Sequence, residues 1–143
     1  MADIHHQFKS HTPGARVFAA IVTPAGLDSS WTLISAGSAE PGAVHEFGFG
    51  PEYQWRAVAV RCVVDSAIEW ELTEAMEDWV GTRVGFTLSE GGGGTEVRFQ
   101  HSGWTEASAH FRTSSFCWAM YLRLLKRLVE TGEVVPYSDR LEV

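Results

Sequence analysis

The chain has 143 residues, 45% of them hydrophobic and 12% aromatic, which is enough for one domain with a real core, and it carries a formal charge of -7. Its Lys and Arg residues are scattered apart from Arg123, Lys126 and Arg127, so the clustered basic face that nucleic acid requires is missing. No apolar run is long enough to span a bilayer, and the N-terminus MADIHHQFKS lacks the basic and apolar regions of a signal peptide; no membrane insertion and a cytoplasmic location are expected.

Residues Asp3 to Ser10 alternate, with Ile4, His6 and Phe8 on one side, and predict a first strand. Thr12-Pro13 predicts a helix start, with Thr12 as the cap and Pro13 in the first turn, and Val17, Phe18, Ile21 and Val22 supply the apolar stripe. Thr23-Pro24 repeats the signal for a second short helix, Ala25 to Ser30. Extended patterns follow at Trp31–Ser35, Val44–Phe49, Trp55–Val64, Ile68–Thr73, Val80–Leu88 and Thr95–His101, separated by short turns. Such close spacing excludes βαβ units and predicts an antiparallel meander to which the first strand adds. Gly91 to Gly94 has no P-loop Lys and precedes a strand, so it is a hairpin turn and not a phosphate loop.

From about Glu106 to Thr131 an amphipathic helix carries Phe111, Ser115, Trp118, Tyr121, Leu122, Leu125, Leu128 and Val129 on one stripe. The remaining residues, after Gly132, read as a tail of one single domain spanning 1–143. A helix this long needs a partner surface, and the concave face of the sheet is the only large one. The expected fold is α+β, a seven-stranded antiparallel sheet wrapped around the C-terminal helix, with a cavity where one end of the twisted sheet fails to close and the two short helices cover part of the gap.

The order of elements, together with VFAAIVTP, GTRVGFTL, GGGGTEVRFQHSGW and FCWAMYLRLLKRLVETG, resembles the START-related helix-grip superfamily, SRPBCC, and within it the branch of activators of heat-shock-protein ATPase and polyketide-cyclase-like proteins. These words span almost the whole chain. The single ring of Ser29-Ser30-Trp31 departs from the paired tryptophans of many members. The resemblance implies a cavity under the long helix for a small hydrophobic or amphipathic molecule. In some relatives it also implies cyclisation, dehydration or hydrolysis, and the branch name implies contact with a chaperone.

The residues expected to line the cavity are Trp31, His45, Phe47, Trp70, Phe86, Phe99, His101, Trp118 and Tyr121, with His45, His101 and the Tyr121 hydroxyl orienting the ligand. His101 falls in the buried phase just before the helix and is the candidate acid or base should the cavity be that of a cyclase or hydrolase. His6, His45 and His101 share an inward phase and could hold Zn²⁺, but no two have helical ligand spacing and no cysteine pair supports them, so neither metal nor cofactor is expected. Glu46, Glu69 and Glu71 point outward, Glu71 toward Arg83, while one of Arg56 and Arg61 is expected to face inward. Asp78-Trp79 and Gly103-Trp104 place rings at the edge or at a cavity mouth, and Cys62 and Cys117 read as reduced, buried thiols. A monomer and a homodimer are equally compatible with the chain.

Overall fold

A computed structural model describes every residue, Met1–Val143. The chain runs β1 (Ala2–Ser10), α1 (Gly14–Val22), α2 (Pro24–Ser30), β2 (Ile34–Ala36), β3 (Val44–Gly48), β4 (Gln54–Val63), β5 (Ala67–Glu74), β6 (Arg83–Gly91), β7 (Gly94–Trp104) and α3 (Ala109–Thr131), and ends in a short 3₁₀ helix, Tyr137–Glu142. All seven strands form one sheet in the order β1-β7-β6-β5-β4-β3-β2, and every pairing is antiparallel. This is the expected α+β helix grip, with α3 packed on the face that buries Val97, Phe99, Phe86 and Trp70. No helix is long and apolar enough to cross a membrane.

The local chemistry of the helix ends explains their positions. Ser108 caps α3 by accepting from the Phe111 amide at 3.2 Å, and Gly132 closes it with the positive φ of 77° that a C-terminal cap needs. Thr23 caps α2 in the same way, with Pro24 in the first turn. At α1 the expectation fails. The Thr12 hydroxyl pairs with the Ser10 hydroxyl while the Thr12 carbonyl accepts from Thr95 Oγ1, and the first amide of α1, that of Gly14, is taken instead by the Glu90 carboxylate of β6 at 2.7 Å. A carboxylate at a helix N-terminus serves the free amides and the helix dipole together. Gly92 and Gly93, with φ of 59° and 80°, form the two-residue β6–β7 turn, as their freedom at positive φ allows.

Four other expectations change. Trp31 begins no strand: it ends α2, and the strand starts three residues later at Ile34. Likewise Val80 is exposed in a turn, and β6 starts at Arg83. In β4, register shifts at Arg56/Ala57 and Ala59/Arg61 break the alternation, so Arg56 and Arg61 are both exposed and neither enters the interior. The segment after Gly132 is tied down: Arg140 is 3% exposed and donates to the carbonyls of Val135, Thr32 and Asp28. On the outer face the expected Glu71–Arg83 pair is present at 3.4 Å; Arg83 lies closer still to Glu69, at 3.0 Å, and Arg56 pairs with Glu46 at 3.2 Å.

Candidate functional site

Beneath α3 the interior is nearly full. The space enclosed by Ile21, Leu27, Trp31, Trp70, Phe86, Trp118 and Leu125 measures about 30 Å³, room for a water molecule and no more. Val17, Ile21 and Leu27 of the two short helices, with Trp70 and Phe86 of the sheet, fill what the twist of the sheet leaves open.

His101 and His45 lie inside this packing and touch no open space. Both are 0% exposed. The Thr82 hydroxyl donates to the Trp79 carbonyl at 2.6 Å, so the His101 Nε2–H donates to Thr82 Oγ1 at 2.8 Å, and His101 Nδ1 accepts from the Trp118 indole N–H at 3.1 Å. Both ring nitrogens of a neutral imidazole are thereby used. Burial holds the His101 pKa down to about 3, with a smaller push from His110 and an opposing pull from Asp78. His45 Nδ1 accepts from the Trp70 indole N–H at 3.1 Å, which leaves a buried Nε2–H without a hydrogen-bond partner. Its pKa is lowered by burial, offset in part by the Val22 backbone. His6 sits apart at the β1 edge, half-buried, with Nε2 3.1 Å from the Ser115 carbonyl oxygen. Phe47 stacks on His45, and Phe99 packs against Phe86 and Trp118.

Open space lies on the other side of Trp31, away from the short helices. A groove of about 350 Å³ runs between α3 and the end of the sheet, lined by Trp31, Phe49, Tyr53, Trp55, Met76, Trp79, His110, Thr113, Ser114, Cys117, Trp118, Tyr121 and Tyr137. Its floor is a chain of touching rings, with centroids 4.9 Å apart for Trp31–Trp118, 5.2 Å for Trp31–Phe49, 4.5 Å for Phe49–Trp55 and 4.4 Å for Trp55–Trp79. Of the nine residues expected to line a cavity, Trp31, Trp118 and Tyr121 face both this groove and the small void, Trp70 and Phe86 face the void alone, and His45, Phe47, Phe99 and His101 face neither.

Most of the rest of the lining was not expected from the sequence. Tyr53 and Met76 come from turns and Tyr137 from the C-terminal segment, none of which carries a periodic signal, while Phe49 lies just past the end of β3. The available signal was the pairing of rings with turns, Asp78-Trp79 above all. Both rings are buried core members, Trp79 5% and Trp104 1% exposed, but only Trp79 borders the groove. At the rim His110 Nδ1 lies 2.6 Å from Asp78 Oδ2, and its ring is parallel to Trp79 at 6.1 Å and edge-on to Trp104 at 5.6 Å. Cys117 and Cys62 are free and half-buried, and burial raises both thiol pKa values, so neither has the thiolate character of a nucleophile. Burial also leads the upward shift of the Tyr121 hydroxyl. No group of three or more His, Cys, Asp or Glu side chains is placed to hold a metal ion.

Two hollows of larger volume lie at the outer sheet edge, about 500 Å³ beside Leu33–Ala36 and about 640 Å³ between Arg56, Glu74 and Val80. Their linings are mixed, with Arg56 and Glu74 paired at 3.3 Å across the second, so a ligand there would exchange water for little apolar contact.

The fold recurs in solved structures. The solution structure of an Aha1 dimer from Colwellia psychrerythraea is 27% identical, with a TM-score of 0.85 over 93% of this chain and 99% of that one. Protein SSP2350 from Staphylococcus saprophyticus is 19% identical, with a TM-score of 0.80 over 94% and 96% of the two chains. CalU16 from Micromonospora echinospora is 17% identical, with a TM-score of 0.75 over 98% of this chain and 83% of that one. Among curated protein sequences none matches the chain. The family model described as Activator of Hsp90 ATPase homolog 1-like protein matches residues 11–130, and the chain belongs to that family.

Proposed function

We propose that this chain is a single START-like domain of the cytoplasm that binds a small, flat, hydrophobic or amphipathic molecule in the aromatic groove between α3 and the end of the sheet. The observation that carries the reading is the contrast in free space: about 350 Å³ walled by rings at the groove against about 30 Å³ beneath the helix. A two-ring aromatic that buries on the order of 200 Å² there would gain about 5 kcal/mol before the costs of association. The hydroxyls of Tyr53 and Tyr121 and the ring of His110 supply polar contacts at the border, a composition that favours an amphipathic guest.

The reading is tested with the methyl ether of a nitronaphthol as a two-ring probe, and with native mass spectrometry of freshly purified protein for a co-purifying small molecule. The wild-type chain is expected to bind the ether. Cys117→Trp, which places an indole in the groove, is expected to abolish binding while the fold is kept. Equal binding by both proteins would overturn the reading.

A second reading, contact with a chaperone, draws support from the family description and from Val44, Val60, Val63 and Val64, which leave apolar surface exposed along β3, β4 and the β4–β5 turn. Chaperone that fails to be retained on immobilised protein would count against it, and light scattering would distinguish monomer from homodimer.

A further inference from the structure

We propose that His110, held by Asp78, is the proton acceptor of the groove, and that the groove selects flat aromatic molecules bearing an acidic hydroxyl, a phenol or an enol. The inference rests on the groove reading above and narrows it to a ligand class.

Three features set His110 apart from the other histidines near α3. Its Nδ1 is committed to the Asp78 carboxylate at 2.6 Å, which fixes Nδ1 as the protonated nitrogen and leaves the Nε2 lone pair free in the neutral ring. The ring is held by Trp79 on one side and Trp104 on another, so its direction is set by packing. It also lines the groove with its side chain 33% exposed, whereas His101 has both nitrogens engaged and no access to open space. A sealed imidazole can position its neighbours, but only an accessible one can exchange a proton with a guest.

The step balances within the site. The O–H bond of the guest breaks, its electron pair stays on oxygen, and the proton goes to His110 Nε2. The Asp78 carboxylate then stabilises the imidazolium through its Nδ1–H, as a carboxylate beside a histidine does in general base chemistry. The groups that face His110 are Asp78 from the β5–β6 connection and His101 from β7, and the latter stays neutral. On its own element Arg112 follows it, Glu106 lies in the segment before α3, and both are exposed. An imidazolium–phenolate pair in a groove of rings is screened less than in water, so a bound phenol should ionise at lower pH than a free one.

The experiment uses a nitronaphthol, whose anion absorbs at longer wavelength than its neutral form, alongside its methyl ether. The expected result is that the wild-type chain binds both and that the bound nitronaphthol shows a phenolate-to-phenol ratio about tenfold above that of the free dye at the same pH. His110→Gln, which alters one wall of the groove, should bind the ether more weakly but still measurably and lose the extra phenolate, and Asp78→Asn should bind the ether and lose most of the extra phenolate. Should the ether bind to all three proteins while the dye spectrum is the same in the wild type and His110→Gln, the proton acceptor is refuted and the groove stands. Should the ether bind to none, the groove reading falls and this inference with it.

Discussion

Two regions beside the same helix use the same residue types to opposite ends. Beneath α3, His45, His101, Trp70 and Trp118 pair their polar atoms with one another or with Thr82, His45 Nε2 alone excepted, and a wall of aliphatic side chains closes around them. Around the far side of Trp31, the rings of Phe49, Trp55 and Trp79 touch each other beside open space, Phe49 and Trp55 are only half-buried, and the His110 side chain is 33% exposed. His101 and His110 make the contrast at the scale of single residues. Ring content therefore does not by itself mark a binding site; the proposed site is where the rings lack a covering layer.

The comparison breaks most visibly in the sealed region. Phe99→Ala would remove a ring packed between Phe86 and Trp118 and should cost about 3–5 kcal/mol in urea denaturation, because the surroundings can only partly collapse. A loss below 1 kcal/mol would mean that the interior is looser than described.

Next is the pH dependence. His101, held down to about 3, and His45, also lowered, are neutral in the folded chain and gain protons on unfolding below the ordinary histidine value of 6.5. The unfolded state then binds more protons, so stability is fully present above about 6.5 and falls as pH drops through the window toward 3, by up to about 1.4 kcal/mol per pH unit for each group. Urea midpoints at pH 7 and pH 5 should differ in that direction; a midpoint that rises on acidification would contradict it. Thr82→Val, which leaves the His101 Nε2–H without an acceptor, should cost about 1–3 kcal/mol at pH 7.

On the groove side, Trp55→Ala should weaken binding of the naphthalene ether at least tenfold while changing stability less than Phe99→Ala, because Trp55 is only half-buried. The smallest effect is expected at the rim of α1, where Glu90→Ala removes the acceptor of the Gly14 amide and should cost about 1 kcal/mol without touching ligand binding.

The helix grip was legible because most strands carry their alternation, and α2 and α3 their caps, locally, so the sheet order followed from short connections. Within the groove Trp31, Trp118 and Tyr121 were legible, the last two through the periodicity of α3, and Trp79 only as a ring beside a turn. The other walls stand on turn geometry and on the C-terminal segment that Arg140 anchors, neither of which has a period to read. Bulges in β4 leave Arg56 and Arg61 both outward, where strict alternation turns one of them in, and His110 sits at the start of α3, where the stripe has not yet declared a face. His101 drew attention for an apolar phase that the structure explains by complete hydrogen bonding.

The most direct test follows the indole N–H resonances of the six tryptophans while the naphthalene ether is added. Binding in the groove predicts that Trp55 and Trp79 shift first and saturate together, with Trp70, bonded to His45 in the interior, left in place. Movement of Trp70 with Trp55 unchanged would put the guest beneath the helix and contradict the account.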